Sequence, residues 1–176
     1  MHFDDNVIDM FLNPGEYFVG DAFYRVRTLL GSCVSITLWH PGRCIGAMSH
    51  FLLAHRGMLR SLSKQLDGRY GEEAMQLMLT ELRGMGINPR ECQAKIFGGG
   101  DMFPRHRGST QSGGHVGRRN GEAARELVQA HGIPIISESL FGIGHRQIIF
   151  DIRNGDVWSR QIRPSLMHKR SKERKA

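Results

Sequence analysis

Long apolar runs are absent from this chain of 176 residues, and none approaches the roughly 20 residues that a membrane span requires. We therefore expect no insertion into a membrane. The first residues are acidic and lack the basic start of a secretory signal, so the cytoplasm is the expected compartment. Hydrophobic residues make up 40% of the chain, which predicts a single domain with its own buried core.

Cysteine is scarce. The three cysteines, Cys33, Cys44 and Cys92, form no C-x-x-C pair, and this spacing argues against a disulfide framework and a structural zinc site. His106 and His115 have no carboxylate or thiol nearby in the sequence, so we expect no metal and no cofactor. A lone cysteine is most often a small buried hydrophobe, which is our interpretation of Cys44 and Cys92.

Net positive charge is almost missing from the body of the chain. The net charge is +7, but residues 157–176 carry seven Lys or Arg and one Glu, which leaves +1 for the other 156 residues. We therefore predict a folded domain over residues 1–163, with residues 1–13 as a loose lead-in, and a basic, disordered tail over 164–176. No nucleic-acid motif or aromatic platform accompanies the charge, so no specific nucleic-acid partner is expected.

Strands outnumber helices in the predicted order of elements. Helices are expected from Tyr70 to Met85 and from Gly121 to His131, with Asn120 as the cap of the second. Asn154-Gly155 is a strong hairpin signal. The remaining apolar segments predict strands over 16–20, 23–30, 34–39, 44–53, 93–97, 133–139, 145–152 and 156–162. Neither face of the hairpin 34–53 is fully polar, which favours a sheet covered on both sides in an α+β or layered α/β/α domain.

Three consecutive glycines, Gly98 to Gly100, follow a short strand. No Lys-Ser or Lys-Thr pair comes after them, and Asp101 would repel a phosphate, so a phosphate-binding loop is not indicated. We interpret the glycines as a tight backbone site near an active centre or as a partner surface. Residues 104–117, rich in Gly, Ser, Arg and His, are predicted to form a mobile surface loop.

The hairpin 34–53 places a thiol near an imidazole. A small-residue corner, Gly31-Ser32-Cys33, leads into its first strand. If the turn is symmetric about the Pro41–Gly42 bond, residues whose numbers sum to 83 are paired, and Cys33 lies directly opposite His50. Such pairs have Cβ atoms roughly 4.5–5.5 Å apart, close enough for a base to activate a cysteine nucleophile. The pair is expected to lower the pKa of Cys33 below about 8.5. A buried, structural Cys33 remains the alternative.

Five motifs follow one another along the chain: T-L-L-G-S-C-V (28–34), G-A-M-S-H (46–50), K-I-F-G-G-G-D-M-F (95–103), G-R-R-N (117–120) and G-H-R-Q-I-I-F-D-I-R-N-G (144–155). Taken together and in this order, they resemble the chemoreceptor glutamine deamidases, the CheD family. The resemblance implies a layered α/β sandwich with a mixed, largely antiparallel sheet, similar to bacterial toxin deamidases. It also implies a bacterial chemotaxis enzyme that converts glutamines of methyl-accepting chemoreceptors to glutamate, and it suggests a CheC-type phosphatase as a second partner.

The resemblance assigns the nucleophile to Cys33, the base to His50 and a third, orienting residue to Thr28, with Thr37 as a fallback. In the implied mechanism, Cys33 attacks the glutamine amide to give a thioester that water hydrolyses, and backbone N–H groups of the Gly31-Ser32 corner stabilise the oxyanion. A non-catalytic adaptor that binds receptors or the phosphatase is the main alternative. A cysteine protease is a further one, although the sequence offers no sign of a long peptide cleft.

Overall fold

The computed structural model of the chain describes residues 6–58, 63–103 and 113–164, and the side chains of all of these except 113 and 114. The described strands are β1 (Ile8–Phe11), β2 (Tyr17–Gly20), β3 (Tyr24–Leu30), β4 (Val34–His40), β5 (Ile45–Ser49), β6 (Gln93–Gly98), β7 (Ile135–Leu140), β8 (His145–Asp151) and β9 (Asp156–Ile162). The described helices are α1 (Gly71–Gly84) and α2 (Gly113–Ala130), and Pro89–Glu91 forms a 3₁₀ turn before β6.

The strands form two sheets. One has four strands in the order β1-β3-β8-β9, and the other has five in the order β2-β5-β4-β6-β7. Pairing is antiparallel except between β1 and β3 and between β6 and β7. The predicted mixed and largely antiparallel pairing is confirmed, and so is the hairpin at Asn154-Gly155, which joins β8 to β9.

Two apolar cores lie on opposite faces of the five-stranded sheet. On one face, Val34, Ile36 and Leu38 of β4 pack against α1 and α2. On the other face, Trp39 and Met48 pack against the four-stranded sheet. This alternation matches the division of faces expected for the hairpin, because side chains in a strand point to opposite sides in turn.

The chain is a single layered α+β domain, as predicted, but its layers are ordered helix, sheet, sheet. The expected order placed one sheet between two helical layers, whereas both helices lie on the same face and a second sheet covers the other. The cause is the corner at Gly31-Ser32. The chain leaves β3 there and enters β4 in the other sheet, so β3 and β4 lie in different sheets although they are consecutive in sequence.

Part of the predicted loose lead-in is ordered as β1. It pairs in parallel with β3, and its Asp9 carboxylate accepts a hydrogen bond from the Arg25 guanidinium at 3.0 Å. Four residues are too few to show a clear alternation in the sequence, which is why this strand was not predicted. Residues 1–5 of the lead-in, 104–112 of the predicted loop and 165–176 of the tail lie outside the described residues.

Helix α1 agrees with its prediction, but α2 begins eight residues earlier than expected and contains Asn120 in its interior. The early turns are rich in glycine, which disfavours a helix in isolation. Tertiary packing explains them, because a Cβ atom at Gly117 would lie 2.5 Å from the carbonyl oxygen of Gly100. Neither of these two described helices has the length and apolarity that crossing a bilayer requires.

Candidate active site

Cys33 lies at the corner where the chain passes from the four-stranded sheet to the five-stranded sheet. The Gly99 N–H donates to the Cys33 carbonyl at 2.9 Å, and the Gly100 N–H donates to the Gly31 carbonyl at 2.9 Å. The Cys33 side chain is half-buried and packs against the core between the sheets. The triple glycine is therefore a tight backbone site beside Cys33, which was one of the two alternatives left open.

The predicted register of the central hairpin is wrong by two residues. Partner numbers sum to 85 and not to 83, as in the bridge between Val34 and Phe51. The turn is centred one residue later than expected, and Cys44 adopts the left-handed conformation there, with φ of 47°. Cys33 and His50 are therefore not directly opposite each other.

A shift of an even number of residues leaves both side chains on the same face of the sheet. His50 is buried, 2% exposed, and like Cys33 it faces the four-stranded sheet. The two residues are diagonal neighbours, a relation in which separations of about 7–8 Å between backbones still allow long side chains to meet. The observed register therefore leaves Cys33 and His50 on the same face of the sheet, in a diagonal relation.

Thr28 connects His50 to the four-stranded sheet. Its hydroxyl Oγ1 lies 2.8 Å from Nδ1 of His50 and donates a hydrogen bond to the carbonyl oxygen of Leu12 at 2.6 Å. Thr28 is buried in β3, opposite Ile148 of β8, so its position is fixed by the sheet. The fallback candidate Thr37 donates to the Lys95 carbonyl instead.

This chain of hydrogen bonds fixes the tautomer of His50. The Leu12 carbonyl can only accept, so the single hydroxyl proton of Thr28 is directed toward it. Thr28 must then accept from His50, which places the imidazole proton on Nδ1. The lone pair is left on Nε2, the nitrogen that a general base would use toward a thiol.

Burial keeps both members of the pair neutral. Desolvation lowers the pKa of His50 to about 4, an effect that the Leu12 carbonyl and the Glu16 carboxylate only partly oppose. Desolvation also raises the pKa of the Cys33 thiol, and its own backbone N–H offsets this only in part. The expected thiolate–imidazolium pair, with a lowered pKa for Cys33, is therefore contradicted in the resting protein.

We predict that alkylation of Cys33 by iodoacetamide reaches half its maximal rate above about pH 8.5, the value for an unperturbed thiol, and is slow near pH 6. The reason is that a raised pKa leaves less thiolate at any given pH. Peptide mass spectrometry of the alkylated protein measures this rate for Cys33 alone, with a cysteine peptide as reference.

The His50→Ala variant supplies the control for this pH profile. Its midpoint should stay in place or fall, because no imidazolium stabilises the thiolate and the smaller side chain admits water. A pH midpoint of alkylation well below 8.5 in the wild type, together with a higher midpoint in His50→Ala, would show that the thiolate–imidazolium pair does form.

The backbone at Gly31 and Ser32 leaves N–H groups beside the thiol. Among the backbone hydrogen bonds of the described residues outside the strand ladders, none has the N–H of Ser32 or Cys33 as its donor, and the β3 and β4 ladders end at Leu30 and begin at Val34. The Cys33 N–H lies near its own sulfur. Such groups are available to bind an oxyanion that forms on an atom attacked by Cys33.

Two buried polar residues of the site were missed in the sequence. Asn120, taken for a helix cap, donates from Nδ2 to the carbonyls of Ser32 and Leu52 at 3.1 and 2.7 Å. Arg146, 3% exposed, donates to the carbonyls of Gly98 and Phe141, both at 2.7 Å. Each lies on an otherwise apolar face. Asn120 shares a helix face with Ala124 and Val128, and Arg146 shares a strand face with Ile148 and Phe150. A polar residue on a buried stripe was the available signal.

No group of three or more His, Cys, Asp or Glu suited to a metal occurs among the residues that the structure describes. Of the two histidines considered for a metal, His115 lies in α2, while His106 lies outside the described ranges.

Comparison with known proteins identifies the family. The sequence model described as "CheD chemotactic sensory transduction" matches residues 52–161, more than half of the chain. A protein of Albidiferax ferrireducens named "Probable chemoreceptor glutamine deamidase CheD 2" is 63% identical over 89% of this chain and 89% of its own length. One from Dechloromonas aromatica, with the same name numbered CheD 3, is 45% identical over 85% of each chain. A third, CheD of Pseudomonas savastanoi, is 42% identical over 96% of this chain and 93% of its own. The chain therefore belongs to the CheD family.

Proposed function

We propose that this protein is a cysteine-dependent protein-glutamine deamidase that converts glutamine side chains of chemoreceptors to glutamate and releases ammonia. The observation that carries the proposal is the series of hydrogen bonds from Leu12 through Thr28 to His50. This series leaves the lone pair of the neutral imidazole on Nε2, away from Thr28, and His50 lies on the same sheet face as Cys33. The names of the relatives supply the substrate class, since they describe chemoreceptor glutamine deamidases.

The first half of the reaction forms a thioester. His50 Nε2 accepts the thiol proton as the Cys33 sulfur attacks the amide carbon of the glutamine, and negative charge develops on the amide oxygen. When the tetrahedral intermediate collapses, the C–N bond breaks and the imidazolium returns its proton to the leaving nitrogen, which departs as ammonia. A neutral resting pair suits this sequence, because the proton leaves the thiol only as the new bond forms.

The second half restores the enzyme. His50 accepts a proton from water while the water oxygen attacks the thioester carbon, and collapse expels the sulfur, which regains its proton as Cys33. The balance is one glutamine and one water consumed for one glutamate and one ammonia. Thr28 holds the imidazole throughout and stabilises its protonated form, as the third residue of other triads does.

The N–H groups at Ser32 and Cys33 are assigned to the oxyanion. Loss of one such donor typically reduces turnover by about 10²–10³-fold in enzymes of this type. Both groups belong to the backbone, so the corner itself is the stabilising element. The N–H groups of Gly99 and Gly100 bind the carbonyls of this corner, which leaves the N–H groups of the corner free for the oxyanion.

Partners and boundaries follow from the same proposal. Chemoreceptors are the substrates, and a CheC-type phosphatase is a second partner that the family resemblance suggests. We assign the activity to the cytoplasm, the catalytic domain to residues 1–163, and no catalytic role to the basic segment 164–176. No cofactor takes part in the proposed steps, which use only side chains, backbone and water.

The test is incubation of the protein with the cytoplasmic fragment of a chemoreceptor, followed by peptide mass spectrometry and an ammonia assay. Conversion of defined glutamines to glutamate, with one ammonia for each, is the expected result. Receptor binding without any mass change would favour the adaptor alternative, and receptor fragments would indicate a protease; either outcome would overturn the proposal.

A further inference from the structure

Asn120 spans the two strands that carry Cys33 and His50. It is 2% exposed and projects from the interior of α2. Its single amide nitrogen donates one hydrogen bond to the carbonyl of Ser32, which directly precedes Cys33, and another to the carbonyl of Leu52, two residues after His50. Both protons of the amide are therefore used on backbone that adjoins the catalytic pair.

The position of Asn120 coincides with the end of the hydrogen-bonded ladder between these strands. Val34 and Phe51 exchange the last pair of backbone bonds, N–H to carbonyl at 3.1 and 3.0 Å. In an antiparallel ladder the next hydrogen-bonded pair would be Ser32 and Leu53, but the Leu53 N–H donates to the Arg69 carbonyl at 3.2 Å instead. The amide of Asn120 donates to the Ser32 and Leu52 carbonyls and so links the two segments at the point where the ladder has ended.

Helix α2 is held close enough for this short side chain to reach. Gly117, one turn before Asn120, lies against the Gly99–Gly100 backbone, where a Cβ atom would be 2.5 Å from the Gly100 carbonyl oxygen. Gly121 lies against the ring of Phe141, where a Cβ would be 2.6 Å from the nearest ring atom. The helix is therefore held on both sides of Asn120, by the Gly99–Gly100 backbone that bonds to the corner and by Phe141, and the amide is fixed relative to both segments.

We propose that Asn120 is a positioning residue that sets the separation of Cys33 from His50 without contacting the substrate. The expected change in kcat rests on the proposed deamidase activity. The effect of Asn120 on the separation of Cys33 from His50 does not depend on that activity. The last rung lies at Val34 and Phe51, so the Ser32–Cys33 segment is beyond the end of the ladder, and the Asn120 link holds this segment against Leu52.

The test compares Asn120→Ala, Asn120→Asp and Asn120→Ser with Gln129→Ala, which removes an exposed amide from the same helix. Asn120→Ala should reduce kcat for receptor glutamines by about 10–100-fold, since small displacements of reacting groups have effects of this size. KM should stay within about twofold, because the substrate does not touch a buried side chain. Asn120→Asp should be worse, because its carboxylate oxygens would face two carbonyls. Asn120→Ser, which keeps one donor, should recover part of kcat.

Alkylation of Cys33 in the substrate-free variants provides a readout that does not depend on the deamidase reaction. Loosening the corner admits water, so the pH midpoint of alkylation should fall in Asn120→Ala and remain unchanged in Gln129→Ala. The thermal unfolding curve gives the folded fraction that normalises kcat, and all assays are run below the unfolding transition. If Asn120→Ala does not fold, Asn120→Ser carries the same two comparisons.

The outcomes separate the two proposals. If wild type converts receptor glutamines but the Asn120 variants match Gln129→Ala in kcat and in alkylation, the positioning role is overturned and the function stands, even where the melting temperature is lower. If wild type converts no glutamine but the alkylation midpoint shifts as expected, the function is overturned and the positioning role stands.

Discussion

Replacing Cys33 with alanine should abolish ammonia release, with a fall in turnover of at least about 10⁴-fold, as for loss of the nucleophile in comparable enzymes. No other cysteine can replace it: Cys44 lies in the turn at the far end of the hairpin, and Cys92 is buried in the core between the helices and the five-stranded sheet. The variant should fold normally, because a half-buried CH₂–SH side chain is shortened to a methyl group at a cost of about 1 kcal/mol or less.

Receptor binding separates loss of chemistry from loss of structure. Cys33→Ala should bind the receptor fragment with an affinity within a few-fold of wild type, measured by calorimetry. Cys44→Ala and Cys92→Ala are the matched controls and should retain most of the turnover. Ammonia release by Cys33→Ala at the wild-type rate would eliminate the thioester mechanism.

Replacing Gly98 with alanine should affect stability and activity together. Gly98 has φ of 113°, a conformation that side chains rarely adopt, and an added Cβ would overlap the carbonyl oxygen of Cys33. The strand end cannot move away easily, because the Gly98 carbonyl accepts from the Phe141 N–H at 2.8 Å and from Arg146 at 2.7 Å. We expect a loss of about 3 kcal/mol or more in the free energy of unfolding and a fall in turnover of at least about 10²-fold.

Gly84→Ala is the control for this substitution. Gly84 ends α1, has no strained φ, and an added Cβ would meet nothing within 4 Å. Its replacement should leave activity unchanged and stabilise the fold by up to about 1 kcal/mol. Urea unfolding and kcat give both quantities. A Gly98→Ala protein as stable and as active as Gly84→Ala would show that the corner does not depend on this contact.

Local pattern was sufficient to predict most of the helices and strands. The apolar spacing of α1, the alternation in the strands and the Asn154-Gly155 turn are each determined by neighbours in the sequence. The Cys33–His50 pair was also found by counting along one hairpin. Both side chains stayed on the same face despite the wrong register, because moving the centre of a turn by one residue shifts each partner along the strand by two residues.

The missing parts depend on contacts between segments far apart in the chain. Nothing near Asn120 indicates that its amide reaches Ser32 and Leu52, and helix capping was the better local interpretation. The pKa values were misjudged for the same reason. Counting along a hairpin shows that a thiol and an imidazole are near, but their pKa values depend on burial by the second sheet, whose existence was not predicted.

The hydrogen bond between Thr28 and His50 joins residues of two different sheets, and this has a consequence for biosynthesis. A nascent or partly folded chain, in which the sheets have not yet docked, carries a thiol and an imidazole but has no Thr28 to hold the ring in one tautomer. Glutamine is abundant on the surfaces of other proteins, so a deamidase that worked before it was complete would damage them indiscriminately. In the proposed mechanism, dividing Thr28 and His50 between the two sheets makes the hydrolytic activity depend on the docking of those sheets.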